Sequence, residues 1–474
     1  MTAICDGSEA WEDPERLMDA DVVTIATTIL RPMTVVEAQS GAIQGVPERA
    51  EGSSPPVRTV EWSLAERLSW VRRFRKAVVA DMDELVALAG EEVRKDGFET
   101  LVSDLVPLLS SCRWHERHAR RLLKTRRLRG GSVWQVGQKH WMRREPLGLV
   151  GIIATWNYPV QLLGIQLVQA LVAGSESAGN AVVIKPSERC PKTQRRLLEI
   201  AQAAELPENA IRVHDSSREA GASMLREEAL DHLVFTGSTH TGRSIAQTLA
   251  PWLVPSTLEL SGRDSSIVLD DADLTLAARS IGAAVRLNAG QTCMAPRRVL
   301  VNRSVADRLI ELLRVEVTKA GTLTACDGQT VDARVEACEL GDPLVEGEHF
   351  GPSLAVVPCE SVDAMIAAHR ENGQHLATSI FTSDPARAHA LVGALDTGTV
   401  TINDVVIPTA HPGAPLPALG ASGWGVSRGA QCLLAMTRPV HVSSTPRKLR
   451  VPTDPPEPKQ AEQVRRFVRW WYAR

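Results

Sequence analysis

No pair among the eight cysteines stands in a CxxC spacing, and residues 1–19 are acidic and carry no apolar core. A disulfide framework and a secretory leader are both unexpected, and the thiols read as reduced, in a cytoplasmic protein. Long apolar runs are missing too: the stretch from Leu147 to Trp156 is about half of the roughly 20 residues that a spanning helix needs, so no membrane span is expected. Charge excess is also lacking, and a formal net charge of −3 offers no field to gather nucleic acid or an anionic membrane. Arg113 to Arg129 holds eight basic residues with His115 and His118, but no interleaved aromatic platform and no further metal ligands. It reads as a solvated helix, with neither nucleic acid nor metal as a partner.

What is present suffices for more than one core: 474 residues, 44% of them hydrophobic. Residues 1–58 read as an irregular lead-in with one strand over residues 21–30, closing in Gly52-Ser53-Ser54-Pro55-Pro56. Ser63-Leu64-Ala65-Glu66 forms a capping box, and Leu64, Leu68, Val71, Phe74 and Val78 follow at helical spacing. Further helices are expected from Asp81 and over residues 101–123. From Leu149 onward apolar strands at 149–155, 181–185, 210–213, 231–236 and 256–260 alternate with helices at 160–172, 191–204 and from Thr241. This rhythm predicts an α/β fold with an open parallel, Rossmann-type sheet that presents ligands at the carboxyl ends of its strands. Strands at 132–142 and 440–444 fall outside that sheet.

The chemistry concentrates in short motifs. Asn288-Ala289-Gly290-Gln291-Thr292-Cys293 places one cysteine behind small and polar residues, where a thiolate can act as nucleophile. Glu259, before Ser261-Gly262, is placed either as a general base or as the ion-pair partner of Arg263. Asn157, in Trp156-Asn157-Tyr158-Pro159, is either a turn residue before proline or an amide donor. In Phe235-Thr236-Gly237-Ser238-Thr239-His240-Thr241-Gly242 a strand gives way to a helix; Gly237 allows the turn, and Gly242 lets the helix start close to a ligand such as a pyrophosphate. Lys185-Pro186-Ser187-Glu188 ends a strand where an acid can accept from ribose hydroxyls. That acid repels a 2′-phosphate and favours NAD, while Arg189 keeps NADP open.

On these motifs the chain resembles the aldehyde dehydrogenase superfamily, from about residue 40 to about residue 440. The resemblance implies an NAD(P)-dependent enzyme that oxidises a small-molecule aldehyde to the acid through a cysteine thiohemiacetal and thioester. It implies Cys293 as nucleophile, Glu259 as base and Asn157 as oxyanion donor. Trp156, Lys185, Ser187, Glu188, Gly237, Ser238, Gly242 and Gly262 would hold the cofactor, together with Glu348 and Phe350 of Glu348-His349-Phe350-Gly351-Pro352. A homo-oligomer is implied as well. The corresponding division is a lead-in at 1–58, a dinucleotide-binding domain at 59–118 and 144–260, and a catalytic domain at 261–430. Oligomerisation strands follow at 119–143 and 431–450, and a proline-rich linker with a basic amphipathic tail at 451–474. Rival readings are a coenzyme A-acylating relative and a catalytically silent structural paralogue. Three features depart from the family pattern: only 55 positions separate Cys293 from Glu348, Gly174-Ser175-Glu176-Ser177-Ala178 reads as an insertion, and Pro417-Ala418-Leu419-Gly420 replaces a PFGG motif. In the tail, Val464, Phe467, Val468 and Trp471 make an apolar stripe flanked by arginines, expected to dock on the protein's own oligomer rather than at a membrane surface.

Overall fold

A computed structural model describes residues 58–130, 135, 138–319, 322–324, 330–371, 373–445 and 458–473. All of the expected lead-in except Arg58, including the strand at 21–30, lies outside these residues, as does most of the proline-rich spacer. The capping box forms as the sequence requires: Ser63 Oγ accepts from the Glu66 N–H at 3.3 Å, and the Glu66 carboxylate accepts from the Ser63 N–H at 2.9 Å. The helix it starts, Leu64–Ala80, buries Leu64, Trp70, Val71, Phe74 and Val78 along one stripe. Arg67 lies in the same stripe with no exposed surface. It is tolerated there because its guanidinium donates to the carbonyls of Val172 and Ser175, meeting acceptors left over at a helix end and in the Gly174–Ala178 segment.

The expected helix over 101–123 is broken. Gly97–Thr100 is followed by one wide π turn, Leu101–Leu105, and then by the regular helix Val106–Leu123. Pro107 at its second position cannot donate a helical hydrogen bond, which favours an irregular turn there. Asp104, on the wide turn, is fully buried.

Leu149–Ile153 lies parallel between Ala178–Lys185 and His232–Gly237, with Ser256–Leu260 beyond the latter. Helices Gln161–Val172, Pro191–Ala203 and Thr239–Leu249 cross over between strands, the last starting two residues before the expected Thr241. The sheet is not purely parallel. Thr59–Glu61 joins Ala178–Lys185 antiparallel, and Gly423–Trp424 returns from far along the chain to pair antiparallel with Ser256–Leu260. A second sheet of six parallel strands runs in the order Arg334–Ala337, Ser353–Cys359, Arg298–Asn302, Ser265–Val268, Ala377–Phe381, Thr399–Ile402. Its continuity shows that the short connection after Cys293 leaves this sheet intact.

A third, exposed sheet pairs Lys139–Pro146 with Arg126–Leu128 and with Thr437–Ser444. Of the strand expected at 132–142, residues 132–134 and 136–137 lie outside the described residues, and the strand from Lys139 runs on to Pro146; the one expected at 440–444 begins earlier. The tail forms a helix, Pro458–Tyr472, on which Trp470 and Trp471 are exposed. Among the described residues no helix is long and apolar enough to cross a membrane.

Candidate active site

The turn before Cys293 is held in an uncommon conformation. Asn288 and Ala289 both have φ of 52° and Gly290 has φ of 73°, three successive left-handed residues. At Gly290 a Cβ would stand 2.4 Å from the Gly351 carbonyl carbon, so only glycine permits this approach to the Glu348–Pro352 loop. Buried Arg297 fixes the turn by donating to Gly290 O at 2.8 Å, Thr292 O at 2.9 Å and Gly351 O at 3.1 Å. From the other side the Asn288 N–H donates to Glu99 at 3.1 Å, and Asn288 Nδ2 donates to the Asn157 carbonyl at 2.8 Å.

This turn sets half-buried Cys293 with Sγ 3.6 Å from Glu259 Oε1. Glu259 is buried, and its other oxygen meets no hydrogen-bond partner among the described residues. The alternative of an ion pair with Arg263 is set aside, because Arg263 reaches Gln374 Oε1 at 3.1 Å and the Glu346 carboxylate at 3.5 Å instead. Burial first, then the charges of Glu259 and Asp264, push the Cys293 thiol well above its ordinary range, while Arg428 pulls the other way. At rest the sulfur therefore carries its proton and offers it to Glu259.

Asn157 ends the loop after Leu149–Ile153, and its Nδ2 donates to Gln291 O at 3.0 Å, two residues before Cys293. The Thr155 hydroxyl donates to Asn157 Oδ1 at 3.3 Å, which fixes the amide's orientation. The loop's anchor was not read from the sequence. Fully buried Lys95 and Asp104 pair at 2.6 Å. Asp104 also accepts from the N–H groups of Val160 and Gln161, at 3.1 and 2.9 Å, capping helix Gln161–Val172 from another segment. Lys95 Nζ reaches Asn157 O at 3.4 Å and lies 3.6 Å from the centre of the Tyr158 ring.

The expected cofactor residues follow the carboxyl ends of the first sheet. Lys185 Nζ donates to Glu188 at 2.8 Å, and Arg218 Nε donates to the same carboxylate at 3.2 Å. Partial burial opposes the charge on Glu188, but these two cations hold its carboxyl down at about 2. Ser187 is a buried turn residue whose hydroxyl accepts from the Arg189 N–H at 3.3 Å. Gly237 closes its strand, and Ser238 caps the next helix by accepting from the Thr241 N–H at 3.2 Å.

The Gly242 N–H is spent on Ser238 O at 3.0 Å, and a Cβ there would meet Leu260 Cδ2 at 2.4 Å, so its lack of a side chain lets the helix pack on the sheet. Gly262 is buried against Asp264, where a Cβ would stand 3.0 Å from the carboxylate. Trp156 meets Phe350 edge-on with ring centres 5.8 Å apart, while Glu348 is exposed on the Phe350 loop. Among the described residues no cluster of metal-ligating side chains occurs. A cavity of about 870 Å³ is lined by both Cys293 and Glu259.

The sequence model of the aldehyde dehydrogenase family matches residues 31–332 and 327–442. The chain belongs to this family. Relatives within it include the 4,4'-diapolycopene aldehyde oxidase of Methylomonas, 27% identical over 83% of this chain and 80% of that protein. The beta-apo-4'-carotenal oxygenase of Neurospora crassa is 28% identical over 90% of this chain and 84% of that protein. Among solved structures, the substrate-bound AldH of Staphylococcus aureus superposes with a TM-score of 0.78 at 24% identity, covering 86% of this chain and 96% of that one. The fold is that of aldehyde dehydrogenases.

Proposed function

We propose that this aldehyde dehydrogenase oxidises its substrate to the carboxylic acid with NAD as acceptor, through a covalent intermediate on Cys293. The supporting observation is the 3.6 Å approach of Cys293 Sγ to the Glu259 carboxylate, beside an Asn157 amide bound to the same loop. Glu259 takes the thiol proton, and the thiolate attacks the aldehyde carbon. The resulting oxyanion accepts hydrogen bonds from Asn157 Nδ2 and the Cys293 N–H. Bound NAD would supply the acceptor for the hydride of this carbon, leaving the sulfur as a thioester. Glu259 gives up the thiol's proton to solvent through the open cavity and then removes a proton from water; the hydroxide displaces the sulfur as thiolate, which takes the proton back from Glu259 as the acid is released.

The residues present suit a dinucleotide. Lys185 and Glu188, joined at 2.8 Å at a strand's carboxyl end, offer the donor and the acceptor that ribose hydroxyls engage. The helix start at Ser238–Thr239 lies two strands along the same sheet edge, with its positive end available to phosphate. An acid at Glu188 favours NAD over NADP. A coenzyme A-acylating activity needs no base for water, and a silent paralogue needs neither thiol nor base; both are disfavoured by Glu259 beside Cys293. The test is NADH formation over a panel of aldehydes, with and without coenzyme A. Cys293→Ala should abolish it while NAD binding, followed by calorimetry, persists. Turnover of that variant within tenfold of wild type would sink the assignment.

A further inference from the structure

We infer that the aldehyde taken by this site is a long apolar one, an alkyl or polyene chain of about ten carbons or more. The inference rests on the reading of Cys293 as the aldehyde-binding nucleophile. The cavity that Cys293 and Glu259 line holds about 870 Å³. At the roughly 30 Å³ that a water-sized group takes up, the four heavy atoms of a three-carbon aldehyde fill only about a seventh of it. Val102, Leu162, Leu287, Val405 and Ile407 contribute to its walls, surfaces that gain by covering hydrocarbon.

Charged side chains also line the cavity: buried Arg428 donates to the Thr409 carbonyl at 2.9 Å, and the Asp404 carboxylate accepts from the Val405 N–H at 2.7 Å. Arg286 and Lys319 both bind Glu316, the lysine at 2.6 Å and the arginine through the Glu316 carbonyl. Arg279 is exposed to solvent.

The second observation is outside. Segment 97–106 forms one wall through Val102 and leaves Phe98 71% and Val106 54% exposed, while Ile407, from another wall, is 71% exposed. Val102, 43% exposed, and Ile407 thus present apolar surface both to the cavity and to solvent. A short or charged aldehyde would draw no benefit from them.

The experiment is kcat/KM for propanal, hexanal and dodecanal, with 12-oxododecanoate as a length-matched chain ending in a carboxylate. We expect dodecanal to exceed propanal by a hundredfold or more, and to exceed 12-oxododecanoate by at least tenfold. Values flat with chain length, or a preference for the carboxylate-bearing chain, overturn the inference while leaving aldehyde oxidation in place. No turnover of any of the four would instead remove the reading on which it rests. Ile407→Asp should lower the dodecanal-to-propanal ratio by at least tenfold, and because a ratio cancels general losses of folded protein, an unchanged ratio also counts against the inference.

Discussion

Replacing Glu259 by glutamine separates the two duties proposed for this carboxylate. Its charge lies 3.6 Å from Cys293 Sγ, near enough to oppose a thiolate strongly. Two like charges at about 4 Å in an effective dielectric of ~20 repel by about 4 kcal/mol. Burial of the sulfur is the larger cause of its raised pKa and remains in the variant, so Glu259→Gln should lower the thiol's titration midpoint without restoring the ordinary value. The rate of iodoacetamide alkylation followed against pH reads this midpoint directly. With the repulsion gone the thiol can lose its proton to solvent in place of Glu259, so acylation should persist, and rapid mixing with aldehyde and NAD should give one burst of NADH per site. Hydrolysis loses its base, so turnover after the burst should slow by roughly 10²–10⁴. A midpoint that stays put or rises would refute the repulsion argument, and loss of the burst would mean that the carboxylate is needed to form the thiolate even after its charge is gone.

Other expectations are more direct. Asn157→Ala removes one oxyanion donor and should lower kcat by roughly 10²–10³ with little change in KM; an unchanged rate would leave this asparagine as a turn residue. Gly290→Ala forces a Cβ against the Gly351 carbonyl carbon, at 2.4 Å, in a left-handed residue, so thermal melting should show a loss of about 1–3 kcal/mol and activity should fall with it. Burial holds His115 and His232 at about 4, below the ~6.5 of an unfolded chain. Between these values the unfolded chain binds protons that the folded one refuses, so each histidine withdraws stability as pH falls, by up to about 1.4 kcal/mol per unit. A melting temperature that rises from pH 7 toward pH 5 would contradict this.

Much of the site was legible because its parts are local. The capping box at Ser63, the alternation from Leu149 and the run from Asn288 to Cys293 each carry their signal within a few residues, and the structure builds each where it was expected. What escaped notice depends on contacts across the chain. Lys95 and Asp104 look like surface charges in polar helical surroundings; only folding reveals that they face each other at 2.6 Å beneath Asn157. Arg297 gives no local sign of the three carbonyls it binds, and Gly423–Trp424 is too short to be read as a strand before Ser256–Leu260 supplies its partner. Helix-to-sheet packing and close approach to a phosphate both select glycine at a helix start such as Gly242, and only the folded position of Leu260 brings the first into view.

The protonated state of Cys293 at rest bears on how long the protein survives in an oxidising environment. Peroxide attacks thiolates, and the damage runs from sulfenic acid, which a thiol can reverse, to sulfinic and sulfonic acids, which nothing in this chain could undo. A sulfur whose proton is retained by burial and by the neighbouring Glu259 and Asp264 charges stands outside that chemistry for most of its lifetime, although it is half-exposed to an open cavity. On the proposed mechanism, the carboxylate that accepts the thiol's proton for catalysis also opposes, between turnovers, the free thiolate that oxidants attack.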